Sequence, residues 1–338
     1  SRTTRRARCY RSQGGVMRKP RVAEIFSGAG LFGAAFKRAG FETVYAADAN
    51  WRAVKSFNRN VAQVAEVRDV RDVRRDIRCD ILVAGPPCQG FSTLGRRNPR
   101  DVRNALSLTI AEWAAALIPR VIVVENVPRY LESVYARRLR ISLLTLGYEA
   151  CEWILCASDY GAPQLRTRSF SIYSREGLPA APRHSRSSAR TVRDAFRGLS
   201  AKPDRSGMHV APAPSPIALS RFLRIPERGD KRDVIRRAPH LCPPSWMRMG
   251  IEATDVWGRL DYDKPANTLR CDFQNASKGR YVHPTAHRVI TLREGARLQG
   301  VPDHWEFEGM RAHVAAQLGN GVPLQLGGAV ARSLRRLF

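Results

Sequence analysis

The sequence lacks long apolar runs and paired cysteines. Its longest apolar runs have the length of a strand, so no membrane span is expected, and no secretory segment precedes the first strand. None of its seven cysteines has the two-residue spacing of a zinc ribbon, so neither a zinc site nor a disulfide framework is indicated. We therefore expect a metal-free protein in a reducing, cytoplasmic compartment.

Acidic residues are also few, and the 338 residues carry a formal net charge of +27. An excess of this size favours a polyanionic partner, of which nucleic acid is the commonest. Because the cations are overwhelmingly arginine, codon bias is an alternative explanation. The basic stretch 1–19 has no apolar period and predicts either a disordered arm that contacts phosphates or, if Met17 is the natural start, an upstream extension.

From Arg21 onward, apolar strands alternate with amphipathic helices. Runs such as DILVAG and RVIVVEN are apolar throughout, which is typical of strands buried on both faces of a parallel sheet. The alternation predicts a doubly wound, Rossmann-like α/β sheet with its ligand site at the carboxyl ends of the strands. Strands are predicted at 21–26, 43–47, 80–85, 120–126, 153–158 and 169–174, and helices at 31–39, 51–60, 105–117 and 130–146.

The regular pattern fails over residues 179–250. Proline, arginine and serine are frequent there, and no alternation of strands and helices is recognisable. This change predicts the start of a separate lobe. Helical periodicity returns at 291–300 and again near the C-terminus.

Three local patterns carry chemistry. In GPPCQGFS (85–92), two prolines fix the main chain in front of Cys88 and glycines flank it, a setting that suits a reactive thiolate better than a buried structural thiol. The glycine-rich turn FSGAG (26–30) allows a cofactor to approach main-chain N–H groups at a helix start. Asp48, at the end of the second strand, either accepts hydrogen bonds from ribose hydroxyls or caps the following helix.

Further blocks follow in a fixed order: DVRNAL (101–106), ENV (125–127), QLRTR (164–168), RVITLREGARLQGVPDHW (288–305) and QLGNGVP (317–323). With EIFSGAG and GPPCQGFS, this series resembles the motifs of the DNA (cytosine-5)-methyltransferase family, from Val22 to the C-terminus except for about 180–250. The chain departs from the family pattern at three points. Glu24 stands where the family usually has aspartate, Gly30-Leu31 stands for a Gly-Gly pair, and GNGVP stands for GNAVP.

The resemblance implies an enzyme with a class I methyltransferase sheet and an inserted target-recognition domain. It would move the methyl group of S-adenosylmethionine to C5 of a cytosine flipped out of double-stranded DNA, leave S-adenosylhomocysteine, and need no metal. We expect a monomer, related in function to a companion restriction endonuclease or acting alone. The implied division is an arm at 1–19, a catalytic domain at 20–179, a target-recognition domain at 180–284 and a return to the catalytic domain at 285–338.

The resemblance assigns catalytic roles that suit the chemistry of cytosine. C5 is a poor nucleophile until a group adds to C6, and the Cys88 thiolate is the natural attacker. Glu125 would bind or protonate N3, a role that favours a raised pKa, and Arg168 with Arg166 behind it would donate toward O2. Asn126 would help to set the loop. Ion pairing on a strand edge is the alternative for the two arginines.

Binding residues are implied in the same way. The donor pocket would be lined by Phe26, Ser27, Gly28, Gly30, Asp48, Asp69, Pro86, Asn320 and Val322, with Asp72 competing with Asp69 for the adenine edge. DNA would be contacted by Gln89, Ser92, Arg103, Trp246, Arg248, Lys278, Arg280 and Tyr281, since cations mixed with aromatics suit phosphates and base edges. Trp246 and Tyr281 have an alternative role, which is to pack a small lobe.

Three other functions compete with DNA methylation. A similar catalytic domain could methylate transfer RNA, although a substantial recognition lobe favours DNA. An inactive, methylase-like DNA-binding protein would not need the intact set of Cys88, Glu125 and Arg168. A nicotinamide-dependent dehydrogenase would leave the PPCQ and ENV blocks unexplained.

Overall fold

The computed structural model describes residues 18–87, 102–185, 189–204, 207–248 and 255–338, without the side chains of 102–104. Its strands form a seven-stranded sheet in the order β3-β2-β1-β4-β5-β8-β6 and a separate β7-β9 pair. The strands are β1 (Arg21–Ile25), β2 (Glu42–Asp48), β3 (Ala65–Val67), β4 (Ile81–Ala84), β5 (Val121–Asn126), β6 (Glu149–Cys156), β7 (Gln164–Leu165), β8 (Thr167–Ser174) and β9 (Ala266–Asn267).

Strand direction fixes where a ligand can bind. The strands β3, β2, β1, β4 and β5 are parallel, whereas β8 runs antiparallel to both β5 and β6. The chain leaves β1 toward β2 on one side and returns to β4 on the other, so the strand order reverses between β1 and β4. In open α/β sheets, the crevice for a ligand lies outside the carboxyl ends of the strands at such a reversal.

The burial of the strands follows their sequences. Every residue of β4 and β5 is buried, as the uninterrupted apolar runs predict for central parallel strands. The edge strand β6 instead has both buried and exposed residues, and Ile154 there is 60% exposed. The α/β sheet inferred from the sequence is confirmed.

Helices cover both faces of the sheet. The helices of the catalytic body are α1 (Leu31–Arg38), α2 (Trp51–Asn60), α3 (Thr109–Leu117), α4 (Val134–Thr145), α9 (Leu292–Leu298), α10 (Arg311–Asn320) and α11 (Leu324–Leu334), and between α4 and α9 lie α5 (Val192–Phe196), α6 (Pro216–Arg224), α7 (Lys231–Arg237) and α8 (Pro244–Arg248). The C-terminal helix α11 packs on α1 at Gly327, where a Cβ would lie only 2.8 Å from the Cβ of Ala35. The last helix of the chain therefore packs directly against the first one. Among the described residues, no helix is both long and apolar enough to cross a membrane.

The region over which no alternation of strands and helices was expected contains the four short helices α5 to α8, and its described residues include no strand. A small apolar core joins α6, α7 and α8 to the chain near Trp257, Val282 and Val289. Helix α5 behaves differently, because it packs against α9 and shares the core of the catalytic body. The domain boundary at 180 stays a prediction.

Other differences are local. The helix expected from 105 begins as an α-helix only at Thr109, after a 3₁₀ segment at Val102–Leu108. The strand expected from 153 begins four residues earlier, and β3, β7, β9 and α10 were not predicted. The three short strands have two or three residues each, too few to show a period.

Candidate active site

A cavity of about 1120 Å³ opens at the carboxyl ends of β1, β2, β4 and β5. One half is walled by the turns after β1 and β2. The other half is walled by the turns after β4 and β5, by β8, and by the segments Thr268–Asp272 and Gly319–Val322. Residues from distant parts of the sequence therefore meet at the edge where the strand pattern predicts a ligand.

The glycine-rich turn after β1 has a left-handed main chain at Phe26 and Gly28, with φ angles of 56° and 54°. This turn aims the N–H of Gly28 at Asp48, whose Oδ2 accepts it at 2.8 Å. Phe26, Ser27 and Gly28 line the cavity. Gly30 is not on the cavity wall; its φ is 87°, and a Cβ there would lie 2.7 Å from the side chains of α2.

Asp48 lies on the cavity wall at the end of β2. Its second oxygen accepts the N–H of Asn50 at 2.8 Å, but the N-cap of α2 is Asn50 itself, whose side chain accepts from Arg52. Burial raises the pKa of Asp48, while the N–H groups of Asn50 and Gly28 oppose that rise. The capping alternative is thus removed, and Asp48 remains a residue of the cavity wall.

Glu24 is a second buried acid on the same wall. Burial raises its pKa to about 8, the charge of Asp48 adds to the rise, and the main-chain N–H of Gly33 opposes it. No described residue donates a hydrogen bond to its Oε2, and the hydroxyl of Ser27 nearby along the chain is likewise without a described partner. A side chain on Gly33 would collide with Oε2. The longer acid therefore fits only because α1 has a glycine there.

Asp69 and Asp72 are separated by the structure. Asp69 lines the cavity, whereas Asp72 is not part of its wall. Nε and a terminal nitrogen of the Arg71 guanidinium donate to Asp69 at 3.0 and 2.5 Å. These hydrogen bonds, together with one from the Arg71 main-chain N–H at 2.9 Å, hold the pKa of Asp69 at about 2. Asp69 is the better placed of the two for the adenine edge.

Glu125 ends β5 beside Arg168 of β8. Nε of Arg168 lies 3.0 Å from Oε1 of Glu125, and both side chains are nearly buried. Burial raises the pKa of Glu125, and the positive charges of Arg168 and Arg166 only partly offset that rise. The site therefore combines an acid that holds its proton more tightly than usual with a cation 3.0 Å away.

Asn126 connects this pair to the proline loop. Its side-chain amide donates to the carbonyl of Pro86 at 3.3 Å, and its oxygen accepts the N–H of Val127 at 2.8 Å. Pro86 and Pro87 line the cavity, directly before the position of the predicted nucleophile. Cys88 itself, with Gln89 and Ser92, lies outside the described residues, and the side chain of Arg103 also lies outside them.

Arg166 does not stand beside Arg168. It is 1% exposed, and its two terminal nitrogens donate to the carbonyls of Leu269 at 2.8 Å and Gly319 at 2.9 Å. The expectation that it donates toward cytosine O2 is therefore not supported, because these nitrogens already serve the main chain. Arg166 is also part of the cavity wall.

The C-terminal motif closes the cavity. Asn320 and Val322 both line it. The side-chain oxygen of Asn320 accepts a hydrogen bond from the thiol of Cys271 at 3.0 Å. Val322 is buried and supplies an apolar surface.

The residues predicted to contact DNA divide into two groups. Lys278 and Arg248 are exposed, and Lys278 also lines the cavity. The prediction for Trp246 is wrong, because it is buried in the lobe core with its ring 5.4 Å from that of Trp257. The alternative role of packing the lobe is the one that the structure supports.

The structure also argues against the predicted DNA contacts of Tyr281 and Arg280. Tyr281 is 1% exposed, and its hydroxyl donates to the carbonyl of Thr268 at 2.8 Å. Arg280 donates to the carbonyl of Arg259 at 2.9 Å and pairs with buried Asp230 at 3.2 Å. The polar groups of both side chains have internal partners, and the ring of Tyr281 packs in the core that also contains residues of α9 and α10.

Sequence reasoning missed one part of the wall. Residues Thr268–Asp272 and Arg129 line the cavity, but neither was proposed. Arg129 follows the ENV motif by two residues, which is the one signal that could have indicated it. Residues 268–272 have no glycine turn or apolar period to mark them. Among the described residues, no cluster of His, Cys, Asp or Glu could hold a metal ion.

Comparison with known proteins agrees with this geometry. The chain matches the model of the C-5 cytosine-specific DNA methylases over residues 20–205 and 231–336. The Type II methyltransferase M.XorII of Xanthomonas oryzae pv. oryzae is 30% identical, with 95% of this chain and 86% of that protein covered. M.DdeI of Desulfomicrobium norvegicum, also a Type II methyltransferase, is 26% identical, with 94% and 89% covered.

A solved structure shares the fold. It is a DNA modification methyltransferase encoded within an Escherichia coli prophage, with a TM-score of 0.70, 24% identity, and 94% of this chain and 99% of that chain covered. The internal gap in the family match, residues 206–230, includes α6 of the small lobe. With most of its length matched and a relative 30% identical over nearly all of it, the chain belongs to the family of C-5 cytosine-specific DNA methylases.

Proposed function

We propose that this DNA methyltransferase transfers a methyl group from S-adenosylmethionine to C5 of a cytosine extruded from duplex DNA, through an adduct between Cys88 and C6. The observation that carries the proposal is the buried Glu125–Arg168 pair at the end of β5. It lies in one cavity with the proline loop that leads to Cys88 and with the acidic turn of β2.

The half of the cavity walled by the turns after β4 and β5 and by β8, which we call the base half, suits activation of cytosine. The half walled by the turns after β1 and β2 is called the donor half. The Cys88 thiolate adds to C6, and electron density moves through the ring toward N3 and C5. Glu125, whose pKa is raised by burial, gives its proton to N3 as this charge develops. Arg168 donates toward O2 and restrains the Glu125 carboxylate. After methylation, a base removes the C5 proton, the Cys88–C6 bond breaks, and the thiolate leaves.

The donor half suits an adenosyl group with a cationic tail. Asp48 would accept from the ribose hydroxyls and Asp69 from the adenine amine, since both line this half. Oε2 of Glu24 and the hydroxyl of Ser27 are buried acceptors that the described residues leave unused, and they fit a positively charged ligand. S-adenosylmethionine, when bound here, supplies the electrophilic methyl group.

The proposed substrate is duplex DNA, and the proposed class is that of the Type II relatives. A cavity of about 1120 Å³ has room for both a base and an adenosyl group. A base stacked inside a duplex would have to be extruded to enter it. Extrusion costs a few kcal/mol, which contacts from the lobe at 180–284 would offset. The family and the named relatives favour DNA over transfer RNA.

A trapped adduct tests this mechanism. In duplex DNA with 5-fluorocytosine at the target, fluorine cannot leave C5 as a proton does, so the Cys88 adduct should persist under denaturing conditions when S-adenosylmethionine is present. Cys88→Ala should give no adduct and no methyl transfer. Cys79→Ala is the matched control, because burial raises the pKa of that thiol to about 12 and it should leave trapping unchanged. An adduct with Cys88→Ala would contradict the assignment.

A further inference from the structure

Three polar side chains are almost completely buried at the base half of the cavity, and one of them, Arg166, is part of its wall. Gln164 and Gln299 are 0% exposed and Arg166 is 1% exposed. They come from the start of β7, from the end of α9, and from the link between β7 and β8. Buried polar groups of this size persist only where their hydrogen bonds are made internally.

The two glutamines connect three segments. Gln164 donates to the carbonyl of Leu298 at 3.1 Å and to the side chain of Gln299 at 3.2 Å. Its own oxygen accepts the N–H of Leu269 at 2.8 Å. Gln299 in turn donates to the carbonyls of Leu318 and Gly321. The catalytic strands, α9 and the end of α10 are thereby joined.

Arg166 completes this set by bridging two carbonyls. One terminal nitrogen donates to Leu269 and the other to Gly319, so Leu269 is held at its N–H by Gln164 and at its carbonyl by Arg166. A planar guanidinium can serve two separate acceptors at once, which an ammonium on a single carbon cannot do in the same geometry. We name Gln164, Arg166 and Gln299 the buried joint.

Two of the segments held by the joint, at residue 269 and at residues 319–321, reach the cavity. Thr268 and Cys271, on either side of Leu269, line it, and Thr268 donates to the carbonyl of Leu165 at 2.7 Å. Gly319 lies so close to the main chain of Arg270 and Cys271 that a side chain would not fit. The wall that leads out of the small lobe therefore has little freedom to shift relative to α10.

The joint is also close to the proposed catalytic pair along the chain. Arg168 follows Arg166 by two residues and holds Glu125 at 3.0 Å. A displacement of Arg166 would move Arg168, and with it the cation that opposes the raised pKa of Glu125. The donor half is built by β1, β2 and their turns, which make none of these hydrogen bonds.

We propose that Gln164, Arg166 and Gln299 act as positioning residues. They fix the cavity wall at residues 268–271 relative to the Glu125–Arg168 pair, so that DNA bound by the lobe is correctly placed for the catalytic groups. This inference rests on the proposed function. It assigns Arg166 a role through the main chain and through Arg168, without direct contact with the base.

Arg166→Lys tests the joint, because lysine keeps the charge but loses the two-carbonyl bridge. We expect single-turnover methyl transfer at saturating DNA to fall at least tenfold and its pH profile to shift, while S-adenosylmethionine affinity stays within twofold of wild type. Arg259→Lys is the matched control: Arg259 is 2% exposed and donates to four main-chain carbonyls, all within the lobe region. It should lower thermal stability without shifting the pH profile.

An unchanged rate and pH profile in Arg166→Lys, or the same shift in Arg259→Lys, would overturn the proposal. If Arg166→Lys does not fold, Thr268→Val removes only the bond to Leu165 and should change the rate in the same direction by a smaller factor. Thiol labelling of Cys271, read by peptide mass spectrometry, needs no activity and separates the two proposals. If the wild-type protein does not methylate DNA, the proposed function is contradicted. If the rate of Cys271 labelling in Arg166→Lys equals that of the wild type, the positioning role of the buried joint is contradicted.

Discussion

The two sides of the cavity differ in how their polar residues are used. On the side of the catalytic body, Asp48, Glu125 and Asn126 stand at strand ends and face the cavity or its loop. On the side of the lobe, Trp246, Tyr281 and Arg280 are turned inward and pack or pair with other lobe residues. The body presents its polar groups to a ligand, and the lobe uses much of its aromatic and cationic content for its own core.

The predictions for the two sides were based on different features of the sequence, and this explains why they differ in outcome. Carboxyl ends of parallel strands meet at one edge, so residues at those ends are brought together by topology. Aromatics mixed with arginines have no such constraint, because the mixture suits a cation–π contact inside a lobe as well as a nucleic-acid surface. Arg221 lies 5.1 Å from the ring centre of Trp246, which is such an internal contact.

The largest effect is expected on the body side, from Glu125→Gln. The amide cannot give a proton to N3, so the methyl-transfer rate should fall about 10²- to 10⁴-fold. Donor affinity, measured by calorimetry, should change little because Glu125 lies in the base half. Glu149→Gln, at the exposed start of β6, is the matched control and should keep wild-type turnover. Wild-type turnover in Glu125→Gln would remove the acid from the mechanism.

On the lobe side, Trp246→Ala should destabilise the protein. Removing a buried indole leaves a cavity, so we expect a loss of about 3–5 kcal/mol in the free energy of unfolding of the lobe. Met247→Ala, the exposed neighbour, should change that free energy by less than about 0.5 kcal/mol. Denaturant unfolding measures both. A stable Trp246→Ala variant with a changed salt dependence of DNA binding would restore the indole to the DNA surface.

Glu24 should make donor binding in the donor half of the cavity depend on pH. Because its pKa in the folded protein is about 8 against an ordinary 4.5, it keeps a proton at neutral pH that the unfolded chain would lose. The contribution of Glu24 to folding stability is therefore fully present below about pH 4.5 and is lost as pH rises to about 8. A bound cation favours the ionised acid, so donor affinity should rise toward pH 8 by up to about tenfold per unit.

Glu24→Gln should weaken donor binding at pH 8 and flatten its pH dependence. Adenosine is the matched ligand, since it lacks the cationic tail but still faces Asp48, whose pKa is also raised by burial. Calorimetry of both ligands from pH 6 to pH 8 then separates the two acids. The same pH dependence in wild type and Glu24→Gln would show that Glu24 does not face the cation.

The smallest effect is expected from Lys278→Ala at the lobe surface. Loss of one phosphate contact should lower the slope of log affinity against log salt by about 0.9. Lys19→Ala is the matched control, because it precedes β1 and lies at the opposite edge of the sheet from the cavity. Equal slopes in wild type and Lys278→Ala would place the DNA elsewhere on the lobe.

Much of the catalytic body could be predicted from sequence. Strands β4 and β5 are uninterrupted apolar runs, and α2 has the bounds that its period predicts. The raised pKa of Glu125 was expected from its role, and burial at the strand end is its physical cause. The strands and α2 depend on residues that are neighbours along the chain, whereas the burial of Glu125 also depends on how the sheet is packed.

The unpredicted features depend on contacts over long sequence distances. Arg166 meets Leu269 across 103 residues and Gly319 across 153 residues, and nothing local indicates either carbonyl. Oε2 of Glu24 has no hydrogen-bond partner among the described residues, and it has room because α1 has a glycine at position 33. A motif match reveals neither point. The short helices of the lobe are held by a core of scattered aromatics, so their own sequences show little periodicity.

Base-resolution mapping of 5-methylcytosine tests the central claim most directly. The protein would be incubated with S-adenosylmethionine and, separately, unmethylated genomic DNA or total RNA. We predict methylcytosine at one short recurring DNA sequence and none in RNA. Label confined to RNA, or none in either nucleic acid, would contradict DNA cytosine-5 methylation by this chain.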